Sequence, residues 1–292
     1  MRIANLAGRL VLLEPGTDVD APRGIDAERT GPFDADPQAV FARWAEFRDW
    51  AAGASFADAA PLETAALGPV TPRPPQVFGI GLNYRDHAAE SGFGLPSEPV
   101  VFTKYPSSFA GPSGDIRLSP GDVDWEVELV AVVGTGGHGI AEADGWAHVA
   151  GLAVGQDLSD RTTQFAAPPA QFGLAKSFPG FSPLGPGLVT PDELRADGLD
   201  PDDLELGCLV NGESVQKGRT ATMIFGIPAL VAKLSAIVTL LPGDVIFTGT
   251  PAGIGASMTP PRFLSPGDEL ATWCAGVGRM QHRFVSREGA PS

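Results

Sequence analysis

Apolar and polar positions follow two different periods along this chain, and the change from one to the other predicts where its elements lie. Residues 2–13 alternate and break at Ala7-Gly8, which predicts a small hairpin, and a polar loop rich in Asp, Pro and Gly follows as far as Asp36. Pro37 opens a helix, because Val40, Phe41, Trp44, Phe47 and Ala51 share one face at a period of about 3.6 residues. The stretch 68–76 has no periodicity, and its prolines favour extended backbone. Residues 71–76 therefore read as a Pro-rich linker between a small N-terminal domain, 1–70, and a larger one, 77–286. From Val77 onward the pattern becomes short β-rich runs divided by Gly and Pro: 77–82, 100–104, 125–133, 152–156, 206–210 and 245–248. One more packing helix is predicted from Pro228 to Leu241, with Leu230, Val231, Leu234, Ile237, Val238 and Leu241 on its apolar face and Pro242-Gly243 as its stop. Residues 287–292 are expected to fray.

Composition sharpens this into an α+β chain that is mostly β. The 37 glycines and 28 prolines would suggest disorder were 43% of residues not hydrophobic; together they describe a folded, turn-rich protein. A formal charge of −15, with no local basic cluster, excludes nucleic acid as a partner. No apolar run approaches the roughly 20 residues of a membrane span, and the start is too often interrupted by Arg and polar residues to make a signal peptide. A cytoplasmic enzyme is the expectation. Cys208 and Cys274 lie far apart in sequence without a C-x-x-C spacing, so they read as small apolar residues.

The run Trp125-Glu-Val-Glu-Leu-Val-Ala-Val-Val133 carries the chemistry. A period of two puts Glu126 and Glu128 on one face, continued by Val130 and Val132, while the other face is wholly apolar. Such a strand is buried, and a buried pair of carboxylates calls for something positive between them. The bland alternative is a wet strand end. Asp157 weighs against it by ending the next strand-like run, where neighbouring side chains converge. Three carboxylates without His or Cys make an all-oxygen site suited to Mg²⁺ or Mn²⁺, with Ca²⁺ as a further occupant. A competing motif, Gly134-Thr-Gly-Gly-His-Gly139, matches a dinucleotide-binding fingerprint, but its strand carries two glutamates and the residues after it make a poor helix start.

Taken together, several motifs resemble the fumarylacetoacetate hydrolase family. They are Gly81-Leu-Asn-Tyr-Arg-Asp-His-Ala-Ala-Glu-Ser-Gly92, Glu126-Val-Glu128, Asp157-Leu-Ser-Asp-Arg161 with Gln164, Ala175-Lys-Ser177, Asn211-Gly212 with Gln216, and the run from Pro242 to Gly255. The resemblance spans Val77 to Phe284. It implies a mixed β-sandwich roll, usually a homodimer, with Mg²⁺ or Mn²⁺ on Glu126, Glu128 and Asp157. It further implies a His87–Glu90 dyad on a short lid, Lys176 as an active-site cation, and Arg161, Gln164 and Thr250 as substrate contacts. Helical geometry agrees for the dyad, since i and i+3 share a face. One departure stands out: the family's Ser/Thr-Ala-Arg-Asp here reads Ser159-Asp-Arg-Thr162, moving a carboxylate from after the arginine to before it.

The expected reaction is hydrolysis of a C–C bond in an acylpyruvate-like 2,4-dioxo acid. His87 would activate water, and electrons would flow into a metal-bound enolate. Decarboxylation or isomerisation of a related 2-oxo acid uses the same residues. A non-catalytic small-molecule binder is the alternative from another class.

Overall fold

The computed structural model describes residues 1–17, 21–90, 92 and 94–287. In chain order its longer strands are β1 (Arg2–Leu6), β2 (Arg9–Leu13), β3 (Arg23–Asp26), β4 (Val77–Gly81), β5 (Val100–Thr103), β6 (Ser113–Arg117) and β7 (Val127–Val133). There follow β8 (Val149–Gln156), β9 (Ser182–Val189), β10 (Glu205–Val210), β11 (Glu213–Arg219), β12 (Val245–Phe247), β13 (Glu269–Cys274) and β14 (Gly278–Val285). The larger sheet runs β3-β2-β1-β9-β8-β7-β12-β4-β5, with β12 parallel to β4 among antiparallel neighbours. The smaller runs β11-β10-β13-β14-β6, with β14 parallel to β6. This is the mostly-β, mixed-sheet α+β architecture that the composition and motifs predict, and it is not a closed barrel.

Strand β7 explains how the layers stack. Val127, Leu129, Ala131 and Val133 pack into one core with Leu206, Cys208 and Leu270 of the smaller sheet. On its other face Val130 and Val132 meet Ala153, Phe247 and, from the leading region, Leu10, Phe41 and Phe47. Residues 1–70 thus enter the same sheet through β1, paired to β9, and complete the core behind β7. A leucine or phenylalanine fully buried in this way contributes about 1.5–3 kcal/mol.

Several elements differ from the expectation. The polar stretch before Asp36 contains β3 and a single helical turn, Ala27–Thr30, which Asp26 caps by accepting from the Glu28 and Arg29 N–H groups. The helix expected after Pro37 is a 3-10 turn, Ala39–Arg43, leading into an α-helix, Trp44–Ala52. The helix expected to reach Leu241 spans Ile227–Ser235. Its end is diverted because Gly139 N donates to the Ser235 carbonyl at 2.8 Å and Gly137 bridges to Leu240, drawing the chain into extended form. The Gly134–Gly139 segment leads from β7 to β8, its antiparallel neighbour, which removes the parallel βαβ unit a dinucleotide site requires. Of the tail 287–292, residues 288–292 lie outside the described residues. Among those described, no helix is long and apolar enough to cross a membrane.

Candidate active site

The site forms where the β7 ladder gives out. Across that ladder Val127 faces Gln156, so Glu126 and Asp157 are the next pair outward, joined by Asp157 N donating to the Glu126 carbonyl at 2.9 Å. Side-chain amides take over from regular pairing here: Gln156 Oε1 accepts from Glu126 N, and Gln216 Oε1 accepts from Val127 N, each at 2.9 Å. Glu128 points the same way as Glu126, and all three carboxylates are buried. One oxygen from each lies within 4.8 Å of the others. Thus the face of β7 that is core at Val130 and Val132 becomes an acidic cluster at its other end.

Three cations answer these charges. Lys176 Nζ lies 2.8 Å from Glu126 Oε2 and 2.7 Å from Asp157 Oδ2; Arg161 Nη2 lies 2.7 Å from Glu126 Oε1; Lys104 pairs with Asp157 Oδ1. Burial opposes ionisation of Glu126, but Lys176 and Arg161 outweigh it and hold its pKa down at about 2. For Glu128 the Lys176 charge is outweighed. Burial, then the charges of Asp157 and Glu126, push its carboxyl well above the usual range, and the Gly249 N–H donates to its Oε2 at 2.7 Å. Gly249 has a φ of +97°, and a Cβ there would press on Asn83 and the Ile80 carbonyl, so glycine is required to aim that N–H. Asp157 Oδ2 is buried and is met by the same Lys176 ammonium that holds Glu126 Oε2. Two carboxylates sharing one ammonium, beside a third carboxyl held above its normal range, make the pattern a divalent cation relieves, and an all-oxygen donor set suits a hard one.

Above the triad lies a cavity of about 400 Å³. His87, Glu126, Arg161, Gln164, Lys176 and Thr250 line it, while Glu128 and Asp157 sit deeper. Its remaining wall is largely apolar and includes Ile80, Leu82, Val100, Phe102, Phe165 and Phe172. His87 comes from the helix Arg85–Glu90, and its Nδ1 is 3.2 Å from Glu90 Oε2, as the i, i+3 spacing predicts. Glu90 Oε1 accepts from Gly253 N at 3.1 Å. The base of that helix is fixed by Asn83, whose amide donates to the Phe225 and Thr248 carbonyls and accepts from Phe225 N.

The rearranged Ser159-Asp-Arg-Thr162 motif has a structural answer. Asp160 does not reach Arg161's guanidinium. It accepts from Ser119 Oγ, Gly121 N and Thr163 N, capping the one-turn helix Arg161–Gln164. Thr162 turns to Asp122. The guanidinium is held by Asp124 instead, through Nε at 2.9 Å and Nη2 at 2.7 Å, and Nη1 donates to Gln164 Oε1 at 2.9 Å. Asp124 also accepts from the Gly255 and Ala256 N–H groups, so it ties the arginine to the loop forming part of the cavity wall. Thr250 brings less polarity than its position suggests. Its hydroxyl donates to the Val127 carbonyl and accepts from Gln216 Nε2, each at 2.8 Å, so towards a substrate it can act only as an acceptor.

Two residues here escaped the sequence reading. Asp124 had a signal, since it shares the parity of Glu126 and Glu128. Lys104, which terminates β5, has none, because nothing in the local sequence shows that its strand ends against Asp157.

Large mixed sheets built around a buried carboxylate triad define a class of enzyme fold, that of the fumarylacetoacetate hydrolases. The chain belongs to this family, matching the fumarylacetoacetate (FAA) hydrolase C-terminal family over residues 76–285. Members are enzymes acting on small molecules, and they use divalent metals. The chain is similar to oxaloacetate tautomerase FAHD2A, mitochondrial, of Homo sapiens, at 46% identity over 225 residues, 76% of this chain and 70% of that protein. Among solved structures it is similar to an HpcE-type protein from Mycobacterium smegmatis, with a TM-score of 0.90 and 49% identity over 99% of this chain and 100% of that one. A fumarylacetoacetate hydrolase from Exiguobacterium antarcticum gives a TM-score of 0.83 at 30% identity, covering 98% of this chain and 100% of that one.

Proposed function

We propose that the chain moves a proton at carbon 3 of a short 2-oxo acid, interconverting its keto and enol forms, with oxaloacetate the first candidate substrate. The observation that carries this reading is His87, buried on the cavity wall with Nδ1 given to Glu90 and Nε2 left to exchange a proton. Tautomerisation asks for one such base and a stabiliser of enolate charge, and it breaks no carbon–carbon bond. With Glu90 accepting the Nδ1–H, Nε2 is the basic nitrogen that takes or returns the carbon 3 proton. Lys176 places positive charge where negative charge develops on the oxo oxygen. Four of Arg161's five N–H groups are spoken for by Asp124, Glu126 and Gln164, which leaves one, alongside the Gln164 amide, for a substrate carboxylate. Glu126, Glu128 and Asp157 would hold a divalent cation, which supplies a Lewis acid to the oxo acid when bound. The name of the human relative supports oxaloacetate.

A second reading, hydrolysis of an acylpyruvate-like 2,4-dioxo acid, is favoured by the cavity itself, whose volume and apolar wall exceed what a four-carbon acid requires. The same His87 would then deprotonate a water. Both are tested by giving chelator-stripped protein either enol-oxaloacetate or acetylpyruvate, with and without Mn²⁺, and following enol absorbance and pyruvate. Metal-dependent ketonisation that falls by about 10²–10⁴-fold in His87→Ala supports tautomerisation. Faster release of pyruvate from acetylpyruvate would put hydrolysis first, and no turnover of either despite Mn²⁺ binding would leave a non-catalytic binder.

A further inference from the structure

Each carboxylate of the triad has one oxygen committed to a protein donor other than Lys176. Glu128 Oε2 accepts from Gly249 N, Glu126 Oε1 accepts from Arg161 Nη2, and Asp157 Oδ1 is taken by the Lys104 ammonium. Lys104 is the unexpected member. Its side chain is fully buried, its Nζ also donates to the Phe181 carbonyl at 3.2 Å and stands 4.7 Å over the Phe247 ring, and it does not line the cavity. It therefore meets neither solvent nor substrate, and its effect passes through Asp157. The other oxygen of that carboxylate, Oδ2, is met at 2.7 Å by Lys176, a residue that does line the cavity.

We infer that Lys104 is a positioning residue that restricts Asp157 to a single ligating oxygen, Oδ2, and so biases the triad toward a small six-coordinate ion over Ca²⁺. The inference rests on the triad being the cation site. Ca²⁺ collects roughly six to eight oxygens and gains from carboxylates that offer both of theirs, whereas Mg²⁺ and Mn²⁺ take one oxygen from each ligand in an octahedron. Three carboxylates, each with one oxygen held by a donor other than Lys176, suit the octahedron and leave positions for water and substrate. Freed of Lys104, Asp157 could offer both oxygens, a change that serves Ca²⁺ alone.

The test uses full-length Lys104→Met and Lys104→Gln proteins, with Mn²⁺ binding read by electron paramagnetic resonance and Ca²⁺ by competition. Losing one positive charge strengthens both ions alike, so the ratio of the two affinities isolates the geometry. The preference for Mn²⁺ over Ca²⁺ should fall about tenfold in both variants. An unchanged ratio in variants with native circular dichroism overturns the inference. Infrared difference spectra of the wild-type protein with and without Mg²⁺ answer the question even if neither variant folds. Widely split carboxylate stretches mean one-oxygen ligation, and a narrow splitting from two-oxygen ligation overturns the assignment. Failure of wild-type protein to bind either ion would remove the cation site itself, a result distinct from an unchanged ratio.

Discussion

Glu128 occupies the least comfortable place of any residue at the site. It is buried against two other carboxylates, and Lys176, the cation that helps it most, already serves Glu126 and Asp157. Glu128→Gln removes the repelled charge yet keeps an oxygen for the Gly249 N–H, so two opposite effects are expected. The metal-free protein should gain about 1 kcal/mol, some 2–4 °C in melting temperature, because relieving strain at a functional site commonly stabilises. The further rise on adding Mn²⁺ should vanish. Thermal melts of both proteins with and without the ion check this, and a wild-type Mn²⁺ response in the variant would strip Glu128 of its role. At this scale the sequence was informative wherever residues shared one strand. Glu126 and Glu128 follow from a period of two, and Asp124 was available by the same parity. Lys104 and Gly249 were not, because each reaches the triad from a strand or turn more than 20 residues away in the chain.

Among the elements, β14 is built on strict alternation, with Met280, His282 and Phe284 inward and Arg279, Gln281 and Arg283 outward. His282 therefore lies buried, with Nε2 3.0 Å from the Gly111 carbonyl and Nδ1 without a partner. Burial lowers its pKa below the ordinary 6.5. The unfolded chain then binds the proton more readily than the folded one. Stability from this group is complete above 6.5 and drains away as pH falls from there through the lowered value. Chemical denaturation across pH 7.5 to pH 5 should show a steeper acid loss in wild-type protein than in His282→Gln. Parallel curves would mean that the imidazole titrates freely. The alternation of β14 carries a strand signal that the β-rich runs named from the sequence left out, whereas β9 was hidden by Pro183, Gly185, Pro186 and Gly187. The early end of the helix at Ser235 was invisible for another reason. Gly139, which takes the Ser235 carbonyl, comes from a turn nearly a hundred residues earlier.

In the whole molecule, the family match begins at residue 76, yet the core behind β7 is completed by Leu10, Phe41 and Phe47. No local pattern announces that sharing, because β1 finds its partner in β9, far along the chain. The depth order of the triad has a kinetic consequence. Glu126 faces the cavity, while Glu128 and Asp157 lie beneath it among packed strands, so the cavity is a doorway to them. A molecule seated in that doorway is a stopper. Chelator should therefore strip Mn²⁺ from the resting protein readily, and about tenfold more slowly when saturating oxalate fills the cavity, as stopped-flow release would record. Equal rates would point to a second way out. If the stopper holds, the ion is first in and last out, and each turnover runs on a cation that cannot leave until the product does.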